Sequence, residues 1–341
     1  MITLQENIDI KEFTTFKVPS ICKYFTEITT IDELQEAIDF SRKKKLPLMP
    51  LGGGSNILFV KPFNGLVVKI NLKGIAETFK NDDYVYASAY AGENWDDFVQ
   101  SCVSKNYGGL ENLSLIPGNV GTSPLQNIGA YGVEIKDCFF SLKALHIESG
   151  KVENFTRERC NFGYRESYFK NEGKDKYIIL EVTFLLTRRN HMLHMEYGAI
   201  QEELIKKNIS NPTIQDVREV VMQIRKSKLP DPKVYGNAGS FFKNPVISNE
   251  KFERLQTDYP TIPHYQLENH TVKIPAGWLI EQVGWKGRNQ KQAAVHNKQA
   301  LVLINLGNAT GNEVYDLSFA IINDVKDKFG IDLTREVNII S

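Results

Sequence analysis

Pro50-Leu51-Gly52-Gly53-Gly54-Ser55-Asn56 separates one apolar run, Leu46 to Leu51, from another, Ile57 to Val60. Two short apolar runs around a glycine cluster predict a strand, a sharp turn and a second strand. Amides freed by glycine present donors with no side chain in the way, so the turn suits phosphate oxygens. Taken alone, a glycine run is just as often a plain tight turn. No Gly-Lys-Ser/Thr follows, which excludes a P-loop. The Gly-x-Gly-x-x-Gly spacing is also missing, and a strand follows where a Rossmann fingerprint needs a helix.

Upstream, Thr30 and Glu33 form a capping box for a helix carrying Ile31, Leu34 and Ile38 at helical spacing. Its basic end, Arg42 to Lys45, suits a helix C-terminus and is not read as a binding patch. Downstream, Leu66 to Ile70 and Tyr84 to Ala89 predict strands, and Glu93 to Ser104 a helix with Trp95, Phe98 and Cys102 on one face. The stretch Leu113 to Gly132 has no sustained period and is rich in glycine and proline. Loops of this length in compact domains are functional or disordered. The interleaved Leu115, Ile116, Val120, Leu125, Ile128 and Tyr131 argue against disorder, so a binding loop is expected. Paired with the first turn, it could hold the pyrophosphate of a dinucleotide without a helix N-terminus.

Further on, Lys143 to Ile147 and Lys151 to Phe155 predict a hairpin, and Tyr177 to Thr187 a strand. Helices are expected over Thr213 to Lys226, Asn249 to Thr257, Ala276 to Val283 and Thr310 to Phe329, and strands over Leu301 to Asn305 and Ile331 to Ile340. The mixture points to α+β. A chain of 341 residues implies two or three domains. Lysine plus arginine equals aspartate plus glutamate at 41 each, so no basic excess favours nucleic acid. No apolar run is long enough to span a bilayer, and Met1 to Asn7 has neither the basic start nor the apolar h-region of a secretory signal, so a cytoplasmic protein is expected. The scattered Cys22, Cys102, Cys138 and Cys160 read as reduced thiols, and no motif around His191 and His194 suggests a metal.

The chain resembles the UDP-N-acetylenolpyruvoylglucosamine reductases over nearly its whole length. The first glycine turn is similar to their first flavin-binding loop. Ile116-Pro117-Gly118-Asn119-Val120-Gly121 through Asn127-Ile128-Gly129-Ala130-Tyr131-Gly132 is similar to the second. Tyr164-Arg165-Glu166-Ser167 matches a Tyr-Arg-x-Ser element, and Gly236-Asn237-Ala238-Gly239-Ser240-Phe241-Phe242-Lys243-Asn244-Pro245 the catalytic serine segment. Ala276 to Ile280, Ala294 to His296, Ala300 to Val302 and Arg335-Glu336-Val337 follow in the family's order.

The resemblance implies an α+β fold: a two-part, vanillyl-alcohol-oxidase-like FAD-binding region plus a substrate-binding domain. The implied parts are 1–72, then 73–212 with the C-terminal strand 330–341 returning to the active site, and 213–329 for substrate. FAD would be held by Gly52, Gly53, Gly54, Ser55 and Asn56, and by Pro117, Gly118, Val120, Gly121, Thr122, Ser123, Asn127, Gly129, Ala130 and Tyr131. Ser55 stands where many flavin oxidases of this superfamily carry an attachment histidine, so the FAD is expected to be non-covalent. NADPH reduces it, hydride passes to C3 of the enolpyruvyl group, and Ser240 protonates C2. Arg165 grips the substrate carboxylate, which for a lone arginine would compete with a structural ion pair to Glu166. Glu336 hydrogen-bonds the enolic carboxyl group as a protonated acid. Tyr197, Lys228, Asn244, Lys286 and Gln299 are the implied contacts to the UDP moiety, with Tyr265 near the uridine. A monomer with a small-molecule substrate, and with no nucleic-acid or membrane partner, is expected. Two rivals are another FAD-dependent oxidoreductase of this fold and a non-catalytic flavin- or nucleotide-binding protein. The first lacks the Ser-Phe-Phe segment and the second loses Arg165, Ser240 or Glu336.

Overall fold

The computed structural model describes residues 1–267 and 269–341. Its contacts form two compact units, one of Met1–Ile8, Cys22–Gly53 and Asn64–Ser227, the other of Asp9–Ile21, Gly54–Phe63 and Lys228–Ser341. This grouping departs from the expected boundaries at 72 and 212. Residues 9–21 and 54–63 join the C-terminal unit, and 213–227 join the first. The physical reason for the latter is packing: Val217, Val220, Val221 and Ile224 share a core with Ile200 and Leu204.

In the first unit a four-stranded sheet has the order Gln5–Asp9, Ile21–Ile28, Phe63–Ile70, Leu48–Leu51. The last two strands are parallel, with Leu51 opposite Lys69. The Ile31–Lys44 helix starts at the expected capping box and buries Leu34, Ala37 and Ile38 against Ile28, Leu66 and Val68. A five-stranded antiparallel sheet has the order Val152–Thr156, Phe139–His146, Tyr177–Thr187, Tyr84–Tyr90, Ile75–Phe79. Alternation along Tyr84–Tyr90 turns Val85, Ala87 and Ala89 inward, onto Trp95, Phe98 and Val99 of the Trp95–Ser104 helix. Full burial of a valine or phenylalanine side chain contributes about 1.5–3 kcal/mol.

In the second unit an antiparallel sheet has the order Gly236–Ser240, Val302–Asn305, Ala293–Val295, Asn289–Gln290. A three-stranded sheet places Thr271–Lys273 between Val246–Ser248 and Tyr265–Leu267. The core joins Phe241, Phe242, Leu279, Leu303, Leu317 and Ile321. The Gly311–Phe329 helix is bounded by the Thr310–Glu313 capping box and by Gly330 in the left-handed conformation.

One expected strand finds its partner far along the chain, and another is shorter than expected. Ile57–Phe59 does not pair with the strand before the glycine turn; it pairs in parallel with Asn338–Ile340. The strand expected over Ile331 to Ile340 is regular only at Asn338–Ile340. Its earlier residues bond to the serine segment instead, through Lys243 N–H to Thr334 O at 2.9 Å and Glu336 N–H to Phe241 O at 2.8 Å. No described helix is long and apolar enough to cross a membrane.

Candidate active site

In the first unit Gly52 and Gly53 of the first glycine loop meet the second loop. A Cβ on Gly53 would lie 2.7 Å from both Gly118 Cα and Asn119 Oδ1, so only glycine allows the approach. Behind the second loop, Trp95 N–H donates to Gly118 O at 3.0 Å and Val120 N–H to Glu93 O at 2.9 Å. Gly121 N–H donates to Ala91 O at 3.0 Å. Thr122 Oγ1 and Ser123 Oγ turn back on the loop, donating to Asn119 O and Val120 O at 2.8 Å each. Among the described residues, the amides of Gly53 and Gly118 donate no hydrogen bond. Loops packed backbone to backbone, with these two amides uncommitted, fit a diphosphate.

The far end of the second loop is tied to the Tyr-Arg-x-Ser element. Asn127 is fully buried; its Nδ2 donates to Glu134 Oε2 at 2.9 Å and Gly163 O at 3.0 Å. Arg165 Nη2 donates to Gly129 O at 2.7 Å, and Nη1 lies 3.7 Å from Glu134 Oε1. Ser167 Oγ donates to Leu125 O at 2.7 Å. Asn127, Tyr131 and Arg165 all hold positive φ, at 44°, 50° and 57°. Such conformations cost about 1–2 kcal/mol each and cluster at functional sites. The Tyr131 ring meets that of Tyr197 edge to face at 5.4 Å, and Ala130 pairs with Val133 in a short hairpin.

In the second unit the serine segment, the C-terminal segment and Asn56 converge. Ser240 is exposed and pairs with Val302 just past a register shift. Gly239, at φ 69° with open space where a Cβ would lie, makes the bulge, and Asn237 Oδ1 fixes it by accepting from Gly239 N–H at 3.0 Å. Bulges of this kind re-aim the next side chain. Phe242 bridges Arg335, which places Ser240 and Glu336 on adjoining segments. Asn56 Nδ2 donates to Glu336 O at 3.2 Å, and Asn338 N–H donates to Asn56 O at 3.1 Å. Gly54 and Ser55 also lie in this unit, and Gly54 O accepts from Thr15 N–H at 3.0 Å.

The chain belongs to the UDP-N-acetylenolpyruvoylglucosamine reductase family. It is 48% identical over 337 residues to the reductase of that name from Flavobacterium johnsoniae, covering 99% of both chains. To the Pseudomonas aeruginosa reductase it is 44% identical over 338 residues, again covering 99% of each. Residues 22–156 match the family model described as FAD binding domain, and 231–340 that described as UDP-N-acetylenolpyruvoylglucosamine reductase, C-terminal domain. The crystal structure of the Thermus caldophilus reductase shares the fold, with TM-score 0.68 at 21% identity and 100% coverage of both chains. Family membership makes the protein an FAD-dependent oxidoreductase.

Other positions named from the sequence fall into smaller groups. Asn244 Oδ1 accepts from Ala276 N–H at 2.9 Å, and Gln299 Oε1 would lie 3.2 Å from a Cβ on Gly277, so both sit at the start of the Ala276–Gln282 helix. Lys286 is paired with Glu281 at 2.9 Å. Tyr265 is exposed, with Lys273 Nζ 5.4 Å from its ring centre. Tyr197 is the exposed N-cap of the Gly198–Lys206 helix; Lys228 and Pro117 are exposed as well. Sequence reasoning missed the pinning of Leu115, whose amide donates to Asp96 Oδ1 at 2.6 Å while Arg218 grips both oxygens of Asp96. It also missed Lys69, whose ammonium donates to Gly52 O. The available signal was a single charge inside the apolar strand Leu66-Val67-Val68-Lys69-Ile70.

Proposed function

We propose that the protein reduces the enolpyruvyl ether of UDP-N-acetylglucosamine to UDP-N-acetylmuramate, a peptidoglycan precursor, with NADPH as reductant. The observation that supports it best is the pairing of 241–243 with 334–336, which joins the serine segment to the segment of Glu336 in a chain of this family. FAD, when bound, supplies the hydride chemistry. Gly52 to Asn56 and the second loop hold it, and with no histidine in the first loop it is held non-covalently.

After hydride reaches C3 of the substrate, negative charge builds on C2 and spreads into the carboxylate. Arg165 stabilises that charge through its guanidinium fork. Glu336 hydrogen-bonds the same carboxyl group. Ser240 delivers the proton to C2, and its place after a glycine bulge leaves the hydroxyl exposed for that transfer. A serine hydroxyl is a weak acid, so its alignment on a strongly basic carbon carries the step. Tyr197, Lys228, Asn244, Lys286 and Gln299 bind the UDP moiety, and Tyr265 packs near the uridine. Residues 213–329 supply most of this substrate-binding set. The enzyme works as a cytoplasmic monomer.

Replacing Ser240 separates the two halves of the cycle. Ser240→Ala should leave flavin bleaching by NADPH near normal and make reoxidation by the enolpyruvyl substrate very slow. Ser240→Cys should recover part of the second half. Stopped-flow absorbance of each half reads this directly. Equal slowing of both halves in Ser240→Ala would point to a damaged flavin site, and an unchanged second half would remove Ser240 from the mechanism.

A further inference from the structure

Lys69 lies on the Phe63–Ile70 strand, directly across the parallel pair from Leu51, the residue before the first glycine loop. Its ammonium donates to the carbonyl oxygen of Gly52. A trans peptide is planar, so the C=O of Gly52 and the N–H of Gly53 point in opposite directions. Holding the carbonyl therefore sets the direction of the Gly53 amide, which donates no hydrogen bond among the described residues. The same glycine is in backbone contact with Gly118, whose amide is similarly uncommitted. Among the described residues Lys69 makes no ion pair. Burial draws its pKa down, Glu27 opposes this and Lys73 adds to it, so an anion nearby would be welcomed by a poorly compensated charge.

We propose that Lys69 is a positioning residue of the flavin site. It fixes the Gly52–Gly53 peptide so that the Gly53 amide faces the diphosphate of the dinucleotide, and it adds positive charge beneath that loop. The inference rests on the reading that the two glycine loops hold FAD. A purely structural lysine at the end of a strand would stabilise the fold and leave flavin affinity and its salt dependence alone.

The test is the FAD dissociation constant, read from flavin fluorescence on serial dilution of holoenzyme at low and high salt. Lys69→Met should weaken FAD binding by about tenfold or more, the scale of a lost hydrogen bond to a charged group. It should also flatten the salt dependence, because the charge is gone. Lys69→Arg should stay within about threefold of wild type, since charge and donor persist. Binding by Lys69→Met within about twofold of wild type, with unchanged salt dependence, would overturn the proposal. If circular dichroism shows Lys69→Met unfolded, Lys69→Gln against Lys69→Arg decides, and equal affinities would reject the role. Wild-type protein that binds no FAD would instead overturn the flavin reading itself.

Discussion

Arg165 shows how a single residue combines backbone and side-chain demands. Its φ of 57° places a non-glycine residue in the left-handed region, and its guanidinium is aimed by Gly129 O and Glu134. The role proposed for it is to grip the substrate carboxylate with that fork. Arg165→Lys keeps a cation but loses the planar fork, and Glu336→Gln keeps the size but loses the acid. Each should slow substrate reduction on the order of 10², the scale of a lost transition-state donor, while FAD stays bound. Turnover of both variants near the wild-type rate would contradict the roles proposed for these side chains. Gly239 makes the same point without a functional group: its bulge sets where the Ser240 hydroxyl emerges.

At the scale of elements, the second loop is held at both ends by other parts of its unit. Leu115, at φ 60°, is pinned through Asp96 of the Trp95–Ser104 helix by Arg218 of the Ile214–Lys228 helix, whose side chain is 5% exposed. Removing one partner of a buried pair leaves an uncompensated charge. Arg218→Met should therefore lower unfolding stability by about 3 kcal/mol in chemical denaturation. A change under about 0.5 kcal/mol, the scale of ordinary surface substitutions, would show that the pair is not holding the loop. The helix starts were legible in the sequence because capping is local: Thr30–Glu33 and Thr310–Glu313 each satisfy amides within one turn. The glycine loops were legible for the same reason. The fate of Ile57–Phe59 was not, because its partner Asn338–Ile340 lies nearly the whole chain away and no local period encodes that pairing. The Asp96–Arg218 contact was hidden likewise: each residue reads as an ordinary exposed charge on its own helix. Ser240, Arg165 and Glu336 were named from family motifs, since an isolated serine, arginine or glutamate carries no signal of its role.

At the scale of the whole molecule, two units with separate cores carry the stability, and titration of buried groups sets its pH range. His296 is 8% exposed, and among the described residues its Nδ1 has no hydrogen-bond partner. Burial, and secondarily Lys298, lower its pKa below the usual histidine value. The unfolded chain then binds more protons than the folded one between that lowered pKa and about 6.5, so stability rises with pH across this window. Acidification from neutral through the folded pKa should therefore lower the melting temperature more in wild type than in His296→Gln. Parallel curves for the two proteins would contradict the buried, neutral state of this ring. The thiols behave as interior groups too, with burial pushing Cys102 and Cys160 up to about 12.

The central claim is that this chain passes reducing equivalents from NADPH through bound FAD to an enolpyruvyl nucleotide sugar. Anaerobic mixing of NADPH-reduced protein with UDP-N-acetylglucosamine enolpyruvate tests it directly, with flavin absorbance and product followed together. The expected result is return of the oxidised flavin band, with one UDP-N-acetylmuramate formed for each flavin reoxidised. A flavin that stays reduced in the presence of saturating substrate, in protein shown to be folded, would contradict the claim.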